Sequence, residues 1–91
     1  MQILWDRAKA RQNVAKHGVR FADAALVLDD PYAITIADEE SEPAEQRWVT
    51  LGADAQGRIL VVVYAYRGED IRLISARLAE PRERKEYEAQ G

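Results

Sequence analysis

At 91 residues the chain has room for one domain, residues 1–91, with a thin core that buries only about 60–65% of the unfolded surface. With no cysteine and a single histidine, it excludes a disulfide framework, any cysteine-ligated zinc site and a histidine-rich metal centre. Its net charge of −3 counts against a uniformly basic nucleic-acid-binding domain.

In chain order, Gln2 to Trp5 reads as a short first strand, and Asp6 follows as a helix N-cap. Arg7 to His17 contains no Gly or Pro and is expected to be helical, closed by Gly18 in the left-handed C-terminal position. Ala10, Val14 and His17 fall on one stripe of that helix, and Lys9, Asn13 and Lys16 on a parallel polar stripe. Phe21 to Leu28 is a second, Ala-rich helix ended by Asp29-Asp30-Pro31. Tyr32 to Ile36 predicts a strand, Arg47 to Gly52 another, and Asp54-Ala55-Gln56-Gly57 a turn.

Arg58 to Arg67 carries Val61, Val62 and Val63 in its middle, as a central strand covered on both faces would. Gly68-Glu69 suits a two-residue hairpin loop, so Ile71 to Arg77 returns antiparallel. That loop pairs Arg67 with Asp70, Ala65 with Arg72 and Val63 with Ile74. Strict alternation then puts Ser75 and Arg77 on the face of Leu60, Val62, Tyr64 and Tyr66. Pro81 begins a last helix running to about Glu88. The order β-α-α-β-β-β-β-α predicts an α+β domain: a small antiparallel sheet with two N-terminal helices and one C-terminal helix.

The longest apolar run, Ile59 to Ala65, is far short of the ~20 residues of a membrane span, so no membrane association is expected. The first residues, Met-Gln-Ile-Leu-Trp-Asp, lack the basic and apolar regions of a secretory signal, and a cytoplasmic location is expected. The acidity is concentrated: Asp38 to Glu45 holds Asp38, Glu39, Glu40, Glu42 and Glu45 and no base. Without those five, 11 acids face 13 bases, and the remainder can still present a cationic surface to phosphate.

Cleaving RNA without a metal needs a base for the 2′-hydroxyl, an acid for the leaving 5′-oxygen and cations around the crowded phosphorane. Histidine is the side-chain type that ordinarily titrates near neutrality, and the chain's one histidine is His17. It could be that acid or base, or a ring capping the last helical turn. Lys16 could hold a phosphate. Arg77 could do so through its planar fork, or act as a strut to Asp6, Glu45 or Glu83. Arg47 shares a strand face with Glu45 and could pair with it. Arg67, at a strand tip, could be a phosphate ligand or a solvated charge. Trp5 and Trp48 could stack on splayed bases or pack between helix and sheet.

The residues Trp5-Asp6, Lys9, Asn13, Lys16-His17-Gly18-Val19, Phe21, Ala24, Asp30-Pro31, Glu45-x-Arg47, Gly52, the Val61–Tyr64 strand, Ile74-Ser75-Ala76-Arg77 and Glu83-Arg84 with Tyr87 resemble, in order and spacing, the BrnT family. These are ribonuclease toxins of bacterial type II toxin–antitoxin modules, similar to the RelE-type toxins. Arg20 stands where family members tend to carry a Ser, Thr or Asp cap. The resemblance implies a metal-independent endoribonuclease that arrests growth, needing no cofactor. It implies a BrnA-like ribbon-helix-helix antitoxin as partner in a hetero-oligomer, which reaches operator DNA through the antitoxin. By matched motif, the expected catalytic residues are His17, Arg47 and Arg77, with Lys16, Glu45 and Arg67 at the RNA. A non-catalytic module acting as co-repressor with its antitoxin is the other reading.

Overall fold

The computed structural model describes residues 1–40 and 44–90; the centre of the acidic stretch, 41–43, lies outside the described residues. The elements are β1 (Ile3–Leu4), α1 (Arg7–His17), α2 (Phe21–Val27), β2 (Ile34–Ala37), β3 (Arg47–Ala53), β4 (Ile59–Arg67), β5 (Asp70–Leu78) and α3 (Pro81–Glu88). Their order is the one expected.

Local chemistry sets the helix ends. The Asp6 carboxylate accepts the backbone N–H of Ala8 at 2.7 Å and of Lys9 at 3.1 Å, satisfying donors that α1 leaves open. These bonds hold its pKa below the ordinary aspartate value. Gly18 closes α1 at φ +69°, where a side chain would be strained. Arg20 gives α2 no side-chain cap; its guanidinium turns to Asp23 at 3.2 Å instead.

The five strands form one sheet in the order β1-β5-β4-β3-β2. β2 through β5 are antiparallel throughout, as expected, but β1 pairs parallel to β5, so the sheet is mixed. A hairpin forces antiparallel pairing, whereas a strand followed by a helical crossover carries no such constraint. Here α1 and α2 carry the chain from one sheet edge to the other.

The expected register also changes within β5. Arg67↔Asp70 and Ala65↔Arg72 pair as predicted, but Val63 faces Ser75 rather than Ile74, which is the extra residue of a β-bulge. Beyond it every β5 side chain changes face. Ala76 joins Leu60, Val62, Tyr64, Ile71 and Leu73 beneath Val19, Phe21, Ala24 and Val27, while Ser75 and Arg77 turn to the opposite face.

Two polar ties hold α3, which has no buried residue. Glu83 grips Arg77, and the Tyr87 hydroxyl donates to Asp30. Asp30 also accepts the N–H groups of Ala53 and Tyr32; burial raises its pKa, and these hydrogen bonds together lower it further. Asp54, buried in the turn before β4, is lowered by the same balance, with Arg58 as partner. The Arg77 hydrogen bond lowers Glu83, and the Asp30 hydrogen bond raises Tyr87 to about 12.

Depressed carboxylates stabilise the fold above their unfolded values near pH 4, and that stability is lost as pH falls through the lower folded values. A raised tyrosine stabilises fully below about pH 10 and is lost as pH rises further. Urea midpoints followed by circular dichroism are therefore expected to fall below about pH 4 and again above about pH 10. In Tyr87→Phe the alkaline fall should shrink; an unchanged alkaline arm refutes the assignment.

Candidate functional site

The polar stripe of α1, joined by His17 from the neighbouring one, faces the free edge of β5. β1 covers that edge only at Ile71 and Arg72, leaving Ile74 and Ser75 beyond its end. There, Lys9, Gln12, Asn13, Lys16 and His17 of α1 face Ile74 and Ser75 across a cavity of about 280 Å³. The bulge lies at this point of β5, leaving Ile74 without a partner on β4 between the Val63↔Ser75 and Tyr64↔Leu73 pairs.

Asn13 holds the wall of the cavity in place. It is 6% exposed, the only buried residue of α1. Its Nδ2 donates to the carbonyls of Val19 (2.9 Å) and Ala76 (2.8 Å), and its Oδ1 accepts the Ala76 N–H at 3.1 Å. One amide thus occupies the place a neighbouring strand would take, and ties α1, the α1–α2 connection and β5 together.

Apart from the attraction between Lys9 and the Asp6 carboxylate, the other polar side chains of the cavity are unengaged. Among the described residues, Lys9, Gln12, Lys16, His17 and Ser75 form no side-chain hydrogen bond or ion pair, and no carboxylate lines the wall. In a chain of net charge −3, two lysines and a histidine lining one cavity without a carboxylate make a pocket suited to an anion. The last turn of α1 closes without the His17 ring, through the Gly18 N–H to the Val14 carbonyl at 2.8 Å.

The arginines lie on the open face of the sheet. Arg47, Ala65 and Arg72 form one row across β3, β4 and β5. Glu45 sits among them, accepting from Arg72 at 2.7 Å and lying 4.0 Å from the Arg47 Nε. Arg72 was not singled out from sequence, although its pairing with Ala65 was the available signal. Among the described residues its buried Nε has no hydrogen-bond partner.

Arg77 shares this face, two side-chain rows or about 13 Å along β5. It was expected on the face of Leu60, Val62, Tyr64 and Tyr66, and the bulge reverses that. Its two terminal nitrogens bind Glu83 at 2.8 and 2.9 Å, which raises its pKa. Arg67 is exposed at the hairpin tip opposite Asp70. Trp48 packs against the core, and Trp5 lies edge-on to Phe21 at 6.2 Å.

Lys16 and His17 therefore meet in one cavity, and Arg47, Glu45 and Arg77 lie on the neighbouring face already held by ion pairs. Lys9, Gln12 and Ser75 are cavity residues for which sequence reasoning proposed no role.

A family model described as "Ribonuclease toxin, BrnT, of type II toxin-antitoxin system" matches residues 5–83. The crystal structure of the Brucella abortus ribonuclease toxin BrnT is similar at a TM-score of 0.70 and 30% identity, over 88% of this chain and 97% of that one. Among curated protein sequences, none matches.

Proposed function

The chain belongs to the BrnT family of ribonuclease toxins of type II toxin–antitoxin systems, and from that premise we propose that it is a metal-independent endoribonuclease that arrests growth until an antitoxin neutralises it. The observation that carries this reading is the grouping of Lys9, Lys16 and His17 in one cavity whose lining holds no carboxylate. Such a cavity supplies positive charge to a phosphodiester from the protein's own side chains.

The chemistry follows from what these residues can hold. Lys16 and Lys9 bind the non-bridging oxygens of the scissile phosphate. His17 takes the proton of the 2′-hydroxyl as its oxygen attacks phosphorus, or gives a proton to the departing 5′-oxygen. The bond to the 5′-oxygen breaks, leaving a 2′,3′-cyclic phosphate and a 5′-hydroxyl. Arg47, Arg67 and Arg77 guide the neighbouring backbone phosphates, with Glu45 orienting Arg47 and Arg72. For Arg77 to join, a phosphate must exchange with the Glu83 carboxylate.

The partner is a BrnA-like ribbon-helix-helix antitoxin whose DNA-binding part brings the complex to its operator. An acidic antitoxin segment fits the same cationic cavity.

Purified protein with single-stranded RNA in excess chelator is expected to yield cyclic-phosphate ends. Intact RNA under those conditions sinks the proposal. The domain would then be a non-catalytic co-repressor, a reading favoured by the ion pairs that already engage Arg47 and Arg77.

A further inference from the structure

A second cavity, of about 290 Å³, opens on the helix-covered face of the sheet where α2 ends. Its character is unlike that of the first. Tyr64, Tyr66 and Ile71 supply apolar and aromatic walls; Thr35, Thr50 and Asp29 supply polar groups; no Lys or Arg lines it among the described residues. It suits a neutral, flat ligand with a polar edge better than a phosphate.

The polar groups are specific in what they offer. Thr35 Oγ1 and Thr50 Oγ1 are 2.8 Å apart, and Thr50 Oγ1 lies 2.8 Å from the Tyr64 hydroxyl. Thr50 is 2% exposed, so this chain of hydroxyls is sealed in its middle. Three hydroxyls carry three protons, and two hydrogen bonds use two of them. Where Thr50 accepts one of these bonds and donates the other, the remaining proton lies at an end of the chain, on Thr35 or Tyr64, to donate to an acceptor in the cavity. Asp29, whose carboxylate is unpaired among the described residues, lines the same cavity and offers an acceptor. Tyr66 stands edge-on to Tyr64, ring centroids 6.1 Å apart, and is 51% exposed, leaving its ring open to stacking.

We propose that this cavity binds one unstacked guanine of the RNA. The base stacks on Tyr66, its adjacent N1–H and 2-amino donors meet the Asp29 carboxylate, and O6 accepts the spare hydroxyl proton. Ile71 of this cavity and Ile74 of the cationic one are three residues apart on β5, about 10 Å of strand. A single strand can therefore lay its phosphates at Lys9 and Lys16 while a nearby base enters the second cavity. This rests on the RNA-cleaving reading above for its biological meaning, but not for its test.

The test uses neutral nucleosides, which the cationic cavity does not attract, titrated into the isotope-labelled full chain and followed by NMR. Guanosine is expected to shift the resonances of Thr35, Tyr64 and Tyr66 and to leave those of Lys16 and His17 in place. Inosine, which lacks the 2-amino group, should bind more weakly. Tyr66→Ala should weaken guanosine by about tenfold through lost stacking. Asp29→Asn should erase the preference over inosine without unfolding the chain, since Asp29 is exposed.

No shift with guanosine, or equal shifts from all nucleosides irrespective of Asp29, overturns the proposal. Guanosine binding by a protein that leaves RNA intact would sink the nuclease reading alone. RNA cleavage without guanosine binding would sink this one alone.

Discussion

Asn13→Ala is expected to cost about 3–5 kcal/mol and to bring the domain close to unfolding at room temperature. The side chain makes three hydrogen bonds in a buried position, to Val19 and twice to Ala76. Its removal loses those bonds and leaves an N–H and two carbonyls without partners, each costing about 1–3 kcal/mol if water does not reach it. Little apolar contact replaces that grip, because α1 buries no other residue, Val14 is 43% exposed and only the small Ala10 packs against the core.

Asn13→Asp is expected to be at least as harmful, since a carboxylate facing the Val19 and Ala76 carbonyls offers an acceptor where two donors are needed. Denaturant midpoints with an unchanged slope decide the matter. A loss below about 1 kcal/mol in Asn13→Ala would mean that water substitutes for the amide and that the clamp is incidental.

The largest effect on activity is expected at His17. His17→Gln should lower RNA cleavage by about 10²–10⁴-fold, the usual contribution of a positioned acid or base. The fold should survive, because the His17 ring forms no hydrogen bond among the described residues and Gly18 closes the helix without it. RNA affinity should change little, since Lys9 and Lys16 still line the cavity. Single-turnover cleavage measured beside an equilibrium binding curve separates these quantities. Wild-type cleavage in His17→Gln would remove proton transfer from this residue and leave the lysines as the site's whole contribution.

Much of the fold was legible because its signals are local. Asp6 and Gly18 bracket α1 through bonds spanning no more than four residues. The Val61–Val63 run marks a central strand because β4 is paired on both sides. The Gly68-Glu69 turn sets the start of the β4–β5 register, and Lys16 and His17 stand out in the sequence by residue type alone.

The cavity itself was less legible. Lys9 and Asn13 were noticed as one polar stripe with Lys16, but periodicity could not tell which stripe met the sheet. That the one buried residue of α1 is the polar Asn13 breaks the usual pattern of amphipathic helices.

From the residues alone came the single α+β domain, the order of its elements and the family likeness, since caps, turns and alternation act over a few neighbouring positions. Tertiary contact decided the rest. One extra residue in β5, visible only against β4, moved Ser75 and Arg77 to the open face and left Ile74 unpaired at the edge that α1 faces. The parallel seat of β1 and the Asn13 bridge across 63 residues are likewise long-range pairings. Their energies depend on partners far away in the chain, so no local pattern could announce them.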